Sequence, residues 1–184
     1  MTENNSQTSK KYRNSPFFFY LFFLYIQYST SSFSLRKSEW VGSTGKPITD
    51  VINIGIGGSH LGPEMVNQAL KNYQGSIKMH CVSNVDGCHL AKVLKETSGA
   101  ENCLFIVTSY HFDTSETLLN AKTAKKWCKT HMKDQFDVSK HFVAVTTNTN
   151  AAVEFGILTG KNFYQARTTW TTTSQAHPWT KTCQ

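Results

Sequence analysis

Three glycines followed by a serine, in Val51-Ile-Asn-Ile-Gly-Ile-Gly-Gly-Ser59, with Leu61-Gly-Pro63 behind them, carry the chemistry most readily read from this chain. Gly55, Gly57 and Gly58 permit positive φ and close backbone approach, and Pro63 suits the first turn of a helix. Free N–H groups and the positive end of the helix then converge on one point, which suits a phosphate or a sugar hydroxyl. The dinucleotide pattern G-x-G-x-x-G is not met, and a tight βα turn without a ligand would use the same residues. A second segment, Ser109-Tyr110-His111-Phe112-Asp113-Thr114, sets two hydroxyls before a helix start, again a cradle for an anion. Ordinary N-capping uses the same residue types. A third, Thr146-Thr-Asn-Thr-Asn150, adds polar groups or is a plain turn.

The elements that must hold these loops follow from hydrophobic period. Residues 51–56 read as a strand covered on both faces, 77–82 as a second, 103–109 as a central parallel strand and 141–147 as a fourth. Between them, helical spacing predicts helices over 63–73, over 86–95 with Asp86 as cap and Leu90, Val93 and Leu94 buried, and from 113 to about 132. Asp113 with Glu116 three residues later matches a capping box. Strands alternating with helices predict an α/β domain, a doubly wound, mostly parallel sheet with ligands at the carboxyl ends of its strands.

Composition narrows the class. A chain of 184 residues buries one ordinary core, or one core plus a tail. The formal charge of +7 is spread along the chain without aromatic interleaving, which argues against nucleic acid as partner. Five cysteines with no C-x-x-C pair read as free thiols of a reducing compartment, and Cys103 and Cys128 fall in apolar patterns that suit packing. No zinc spacing occurs among the seven histidines.

The chain divides into three stretches: an extension over 1–37, a domain over 38–157 and an irregular tail over 158–184. The extension carries an almost wholly apolar run at 17–26, shorter than the roughly 20 residues of a membrane span. Basic residues before it and Ser29-Thr-Ser-Ser32 after it outline a signal peptide, against which the unpaired cysteines weigh. The preferred reading is a stretch foreign to the domain, of the composition that a translated pyrimidine-rich noncoding tract would have.

The residues also carry a resemblance. Ile52-Asn-Ile-Gly-Ile-Gly-Gly-Ser59 with Leu61-Gly-Pro63, Val82-Ser-Asn-Val-Asp-Gly87, Leu104-Phe-Ile106, Glu116-Thr117, Asn120-Ala121, Thr123-Ala124-Lys125, Lys140-His-Phe-Val-Ala144, Thr147-Asn-Thr149 and Glu154-Phe-Gly-Ile157 resemble, in order and spacing, the glucose-6-phosphate isomerase family. Trp40-Val-Gly-Ser-Thr-Gly-Lys46 and Ile48-Thr-Asp50 extend the likeness, which covers roughly residues 34 to 158. It implies a sugar isomerase (SIS) domain, incomplete here, that binds glucose 6-phosphate or fructose 6-phosphate. It also implies a cytoplasmic homodimer of glycolysis and gluconeogenesis, without metal or organic cofactor and with no membrane or nucleic-acid partner.

Carried over by position, Gly58 and Ser59 match the family's sugar-contacting pair, and Ser109, Tyr110, His111, Phe112, Asp113 and Thr114 match its phosphate loop. The family pattern there is close to Ser-Lys-Thr-Phe-Thr-Thr, so a lysine and two hydroxyls are replaced, and Asp113 brings a negative charge beside a dianion. His60 stands where the family has aspartate. The catalytic glutamate of a Gln-Gly-Val-Glu segment, the later histidine and lysine, and the arginine of a Gly-Gly-Arg-Tyr-Ser segment have no counterpart in these 184 residues, so no catalytic residue is assigned. A frameshift or a premature end is the simplest account of the sequence after Ile157. Two functional classes stay open: an isomerase by descent, inactive as an isolated chain, and a non-catalytic sugar-phosphate-binding module or the product of a decayed gene copy.

Overall fold

The computed structural model describes residues 40–69, 71–73, 75–157 and 163–165, the last three as backbone. The apolar run 17–26, the rest of the extension and most of the expected tail lie outside the described residues.

Five strands form one sheet: β1 (Asp50–Ile54), β2 (Lys78–Val82), β3 (Cys103–Thr108), β4 (Phe142–Thr146) and β5 (Phe163–Gln165). Their order is β2-β1-β3-β4-β5, and every pairing is parallel. Continuous runs such as Cys103-Leu-Phe-Ile-Val-Thr108, buried at every position, are what a parallel strand with two covered faces requires. The fifth strand falls within the stretch expected to be irregular. Three residues are too few for a readable period, and pairing with β4 makes the strand.

Parallel strands need crossovers, supplied here by α1 (Gly58–Ala69), α2 (Gly87–Glu96), α3 (Ser115–Met132) and α5 (Thr149–Phe155), with a single turn, α4 (Val138–His141), leading into β4. The chain steps from β1 outward to β2, then returns across β1 to β3 and continues to β4 and β5. Right-handed crossovers must place α1 on one face and the later helices on the other. The packing agrees. Ile52, Ile54, Phe105, Val107, Phe142 and Ala144 share a core with residues from α2, α3 and α5. Val51, Leu104, Ile106, Val143 and Val145 line the opposite face. Ala121, Ala124 and Cys128, fully buried at helical spacing, let α3 approach the sheet closely. Phe105 stacks on Phe142 with centroids 4.9 Å apart, and burial of one such ring contributes about 1.5–3 kcal/mol. Cys81, Cys103 and Cys128 are buried free thiols and Cys88 an exposed one; burial pushes Cys103 up to about 12, a packing thiol rather than a nucleophile.

Two helix boundaries depart from expectation. The first helix starts at Gly58, five residues before Pro63, so the proline lies inside it and is its buried residue. Its apolar positions Leu61 and Met65 are exposed and Leu70 lies outside the described residues. The capping box at Asp113 and Glu116 does not form: α3 begins at Ser115 with Thr114 in the N-cap position, and Glu116 accepts from the Ser115 hydroxyl instead. Asp86, by contrast, caps α2 as its type predicts, accepting from the Cys88 amide at 2.9 Å, and Leu90 and Val93 are buried beneath that helix with Leu94 half-buried. No helix among the described residues is long and apolar enough to cross a membrane.

Candidate functional site

The strand order reverses between β1 and β3, the position at which open α/β sheets receive ligands at the carboxyl ends of their strands. Both cradles expected from the sequence lie there: residues 55–59 leave β1 and residues 109–114 leave β3. The helices they enter, α1 and α3, begin at the same sheet edge and turn their positive ends to it.

Glycine is required in the first loop for two different reasons. A Cβ at Gly55 would stand 2.8 Å from the Ser59 carbonyl oxygen and 3.0 Å from that of Thr108, so the loop packs directly on the end of β3. Gly57 has φ +59°, the left-handed region, where glycine carries no penalty. A Cβ at Gly57 or Gly58 would meet nothing within 4 Å, which leaves open space above the turn where backbone can approach a ligand. Ser59 and His60 follow in the first turn of α1, half-buried.

The second loop is shaped by its backbone. Phe112 has φ +55° although it is aromatic, a conformation that persists only where surroundings enforce it. Its ring is buried against Phe155, with centroids 5.9 Å apart, and its amide donates to the Ser109 carbonyl at 3.3 Å. Phe112 therefore anchors the loop in the core and offers a ligand only backbone. Ser109 is buried, and its hydroxyl lies 3.2 Å from that of Thr114, so the two hydroxyls are brought together. Tyr110, His111 and Asp113 are exposed, the first two with rings edge to face at 4.6 Å.

The third strand end buttresses the second loop. The Thr146 and Thr147 hydroxyls donate to the Tyr110 carbonyl at 2.9 and 2.7 Å, the Thr147 amide donates to it at 2.9 Å, and the Asn148 side-chain amide donates to the His111 carbonyl at 3.1 Å. Asn148 also caps α5. Sequence alone leaves these residues between ligand contact and plain turn; in the structure they hold the loop.

Two interior polar residues, Asn53 and Thr108, are not singled out by the sequence reading. Asn53, on β1, is fully buried; its side-chain NH2 donates to the Ser59 carbonyl at 3.0 Å and its oxygen accepts from the Thr108 hydroxyl at 2.9 Å. An asparagine in the middle of an apolar strand was the available signal, because such a group must find partners.

The arrangement offers backbone donors, two paired hydroxyls and two helix N-termini at one sheet edge, groups of the kind that suit an anion. Among the described residues, the histidine paired with a carboxylate is His80, 3.1 Å from Asp50, and that pair sits at the opposite, amino-terminal edge of the sheet.

A family model described as phosphoglucose isomerase matches residues 27–170, a longer span than the 34–158 of the motif likeness. The glucose-6-phosphate isomerase of Candida glabrata is 52% identical over 131 residues, which are 71% of this chain and 23% of that protein. The chain thus spans about a quarter of the length of that relative. Among solved structures, a glucose-6-phosphate isomerase from Chlamydia trachomatis aligns with a TM-score of 0.52 at 26% identity, over 67% of this chain and 23% of that one. A hypothetical protein from Thermus thermophilus aligns with a TM-score of 0.55 at 21% identity, over 83% of this chain and 35% of that one, a likeness of fold alone.

Proposed function

The chain belongs to the phosphoglucose isomerase family, and from that premise we propose that its carboxyl-edge crevice is the phosphosugar cradle of a glucose-6-phosphate isomerase site, binding glucose 6-phosphate or fructose 6-phosphate without turning it over. The observation that carries this reading is the convergence of residues 55–59 and 109–114 at the β1/β3 reversal, each loop opening a helix. In this reading Gly58 and Ser59 meet the sugar. Ser109, Thr114 and the backbone of residues 110–113 meet the phosphate, aided by the α3 terminus, whose dipole contributes about 0.3–1 kcal/mol to an anion placed there.

Aldose–ketose isomerisation needs a base to move a proton between adjacent carbons, an acid to open the ring and a cation to steady the enediolate. Binding alone positions the substrate; rate comes from groups that gain interaction in the transition state. The segments that supply those groups in the family have no match in these 184 residues, and no step of turnover is assigned to them. Operation in the cytoplasm and as a homodimer follows from the family reading and belongs to the same proposal.

The test is a titration of the purified chain with glucose 6-phosphate and 6-phosphogluconate, followed by shifts of the amides of residues 57–59 and 109–114, together with a coupled isomerase assay. Saturable shifts at both loops without turnover are expected. Shifts at neither loop would end the reading of the site, and proton exchange at the sugar's second carbon would end the reading of the chain as non-catalytic.

A further inference from the structure

We propose that Asn53 and Thr108 form a positioning strap that fixes the glycine turn against the phosphate loop, so that the two halves of the cradle keep one separation. The inference rests on the reading of those loops as a single phosphosugar site.

The argument begins with Pro63. In an α-helix the carbonyl of residue i accepts from the N–H of residue i+4, and for Ser59 that residue is Pro63, which has no N–H and whose ring crowds the carbonyl it faces. The Ser59 carbonyl therefore lacks its usual helical partner inside α1. Asn53, fully buried on the adjoining strand, supplies the missing donor at 3.0 Å. A carbonyl can only accept, so the NH2 group of the side chain must face it and the side-chain oxygen must face the other way. There it accepts from Thr108 at 2.9 Å, the last residue of β3 and the neighbour of Ser109. Register places Asn53 opposite Ile106, so Thr108, two residues on, shares its face of the sheet. One planar amide thus joins the first turn of α1 to the start of the phosphate loop, across the point where the strand order reverses. Gly55 reinforces the contact, since a Cβ there would stand 2.8 Å from the Ser59 carbonyl oxygen and 3.0 Å from that of Thr108.

The asparagine amide, a donor and an acceptor on one short planar group, meets both demands. Aspartate would turn an oxygen toward the Ser59 carbonyl, and leucine would leave both partners unpaired.

The experiment compares the full chain with Thr108→Val, which removes the hydroxyl while nearly keeping shape, and Thr108→Ser, which keeps the hydroxyl. Amide hydrogen exchange is read in the absence of ligand, and glucose 6-phosphate affinity is read by titration. Thr108→Val lies in β3, yet it is expected to speed exchange of the His60 and Leu61 amides in α1 by about fivefold, the scale of one lost buried hydrogen bond. The Thr49 amide, bonded to the Asn102 carbonyl at the far edge, should keep its rate. Affinity for glucose 6-phosphate should fall by a similar factor, and Thr108→Ser should restore both readouts. Unchanged exchange at residues 60 and 61, or an equal rise at residue 49 showing a uniform loss of stability, would overturn the strap. Should the unmodified chain fail to bind glucose 6-phosphate, the reading of the site falls while the exchange data still decide whether the strap couples the loops.

Discussion

The two ends of the same strands use the same residue types to opposite effect. At the amino-terminal edge, Asp50 and His141 are buried and hydrogen-bonded. Asp50 is enclosed with His80 at 3.1 Å, the Thr49 hydroxyl at 2.8 Å and the Ser98 amide at 3.2 Å. His141 is enclosed between the Ser43 amide, which donates to its Nε2 at 2.9 Å, and the Cys103 carbonyl 2.8 Å from its Nδ1. At the carboxyl edge, Tyr110, His111 and Asp113 face solvent and the loops are held mostly through their backbones. Buried side-chain hydrogen bonds therefore mark the closed end of this sheet, and backbone-held loops mark the open one.

A pair of glycine substitutions separates the two ends most sharply. A Cβ at Gly42 would lie 2.5 Å from the Glu101 carbonyl oxygen and 2.8 Å from Cε1 of His141. Neither neighbour can yield, because one is backbone and the other is bonded on both ring nitrogens. Gly42→Ala should cost about 3 kcal/mol of stability, measured by urea unfolding, and leave the glucose 6-phosphate affinity of the folded fraction unchanged. Gly58→Ala should do the reverse, because its Cβ meets open space: stability should move by no more than about 0.5 kcal/mol. Its added methyl would occupy the ligand's side of the turn, and affinity should fall about tenfold. If both variants lose stability alike, the distinction between a closed and an open edge fails.

Next in size is the response to acid, which the closed edge should dominate. Because the Ser43 amide donates to Nε2, the His141 ring must be neutral with its proton on Nδ1. Burial pushes its pKa down and Lys140 adds to this, against the pull of the Cys103 carbonyl and Asp137. The unfolded imidazole, near ~6.5, takes its proton first, so this stability is complete above that pH and is lost as pH falls from there toward the folded value. Asp50 acts lower. Burial raises its pKa, but the bonds from His80, Thr49 and Ser98 outweigh burial and hold it below the ordinary value. Its contribution is present above about pH 4 and is lost as pH falls through the folded value. Urea midpoints should therefore decline in two stages on acidification, and His141→Gln should flatten the first while leaving the second. Parallel curves for the two proteins would show that His141 is not the group responsible.

The four longer strands were legible because continuous β-branched and aromatic runs have few other uses, and their bounds in the structure differ from the sequence reading by only one or two residues. The positions of both loops were legible, the first because strand, glycine and helix start follow one another directly, the second because an apolar strand runs into hydroxyl-bearing residues ahead of a helix. The start of α1 was misread because Pro63 resembles a first-turn proline, whereas a donor from another strand lets the helix tolerate it farther in. Asp113 was misread as a cap because Phe112 turns the chain through the left-handed region just before it, leaving Thr114 in the cap position. The strap between Asn53 and Thr108 depends on register between two strands, which no local pattern encodes.

The smallest effect tests the open edge itself. Asp113 is exposed and caps nothing, so Asp113→Thr should change stability only through the loss of a negative charge near the α3 terminus, within about 1 kcal/mol. Its effect on binding should be distinct. At ~4 Å in water, two unit charges interact by about 1 kcal/mol, so removal of the aspartate charge should tighten glucose 6-phosphate binding by about fivefold per unit of phosphate charge. Two controls separate electrostatics from shape. The gain should vanish near 1 M salt, where the screening length falls to about 3 Å, and it should be absent for unphosphorylated glucose. A gain that persists in high salt would assign the improvement to the new hydroxyl. No gain under any condition would remove Asp113 from the phosphate loop, and with it the claim that the open edge of this sheet is where the anion sits.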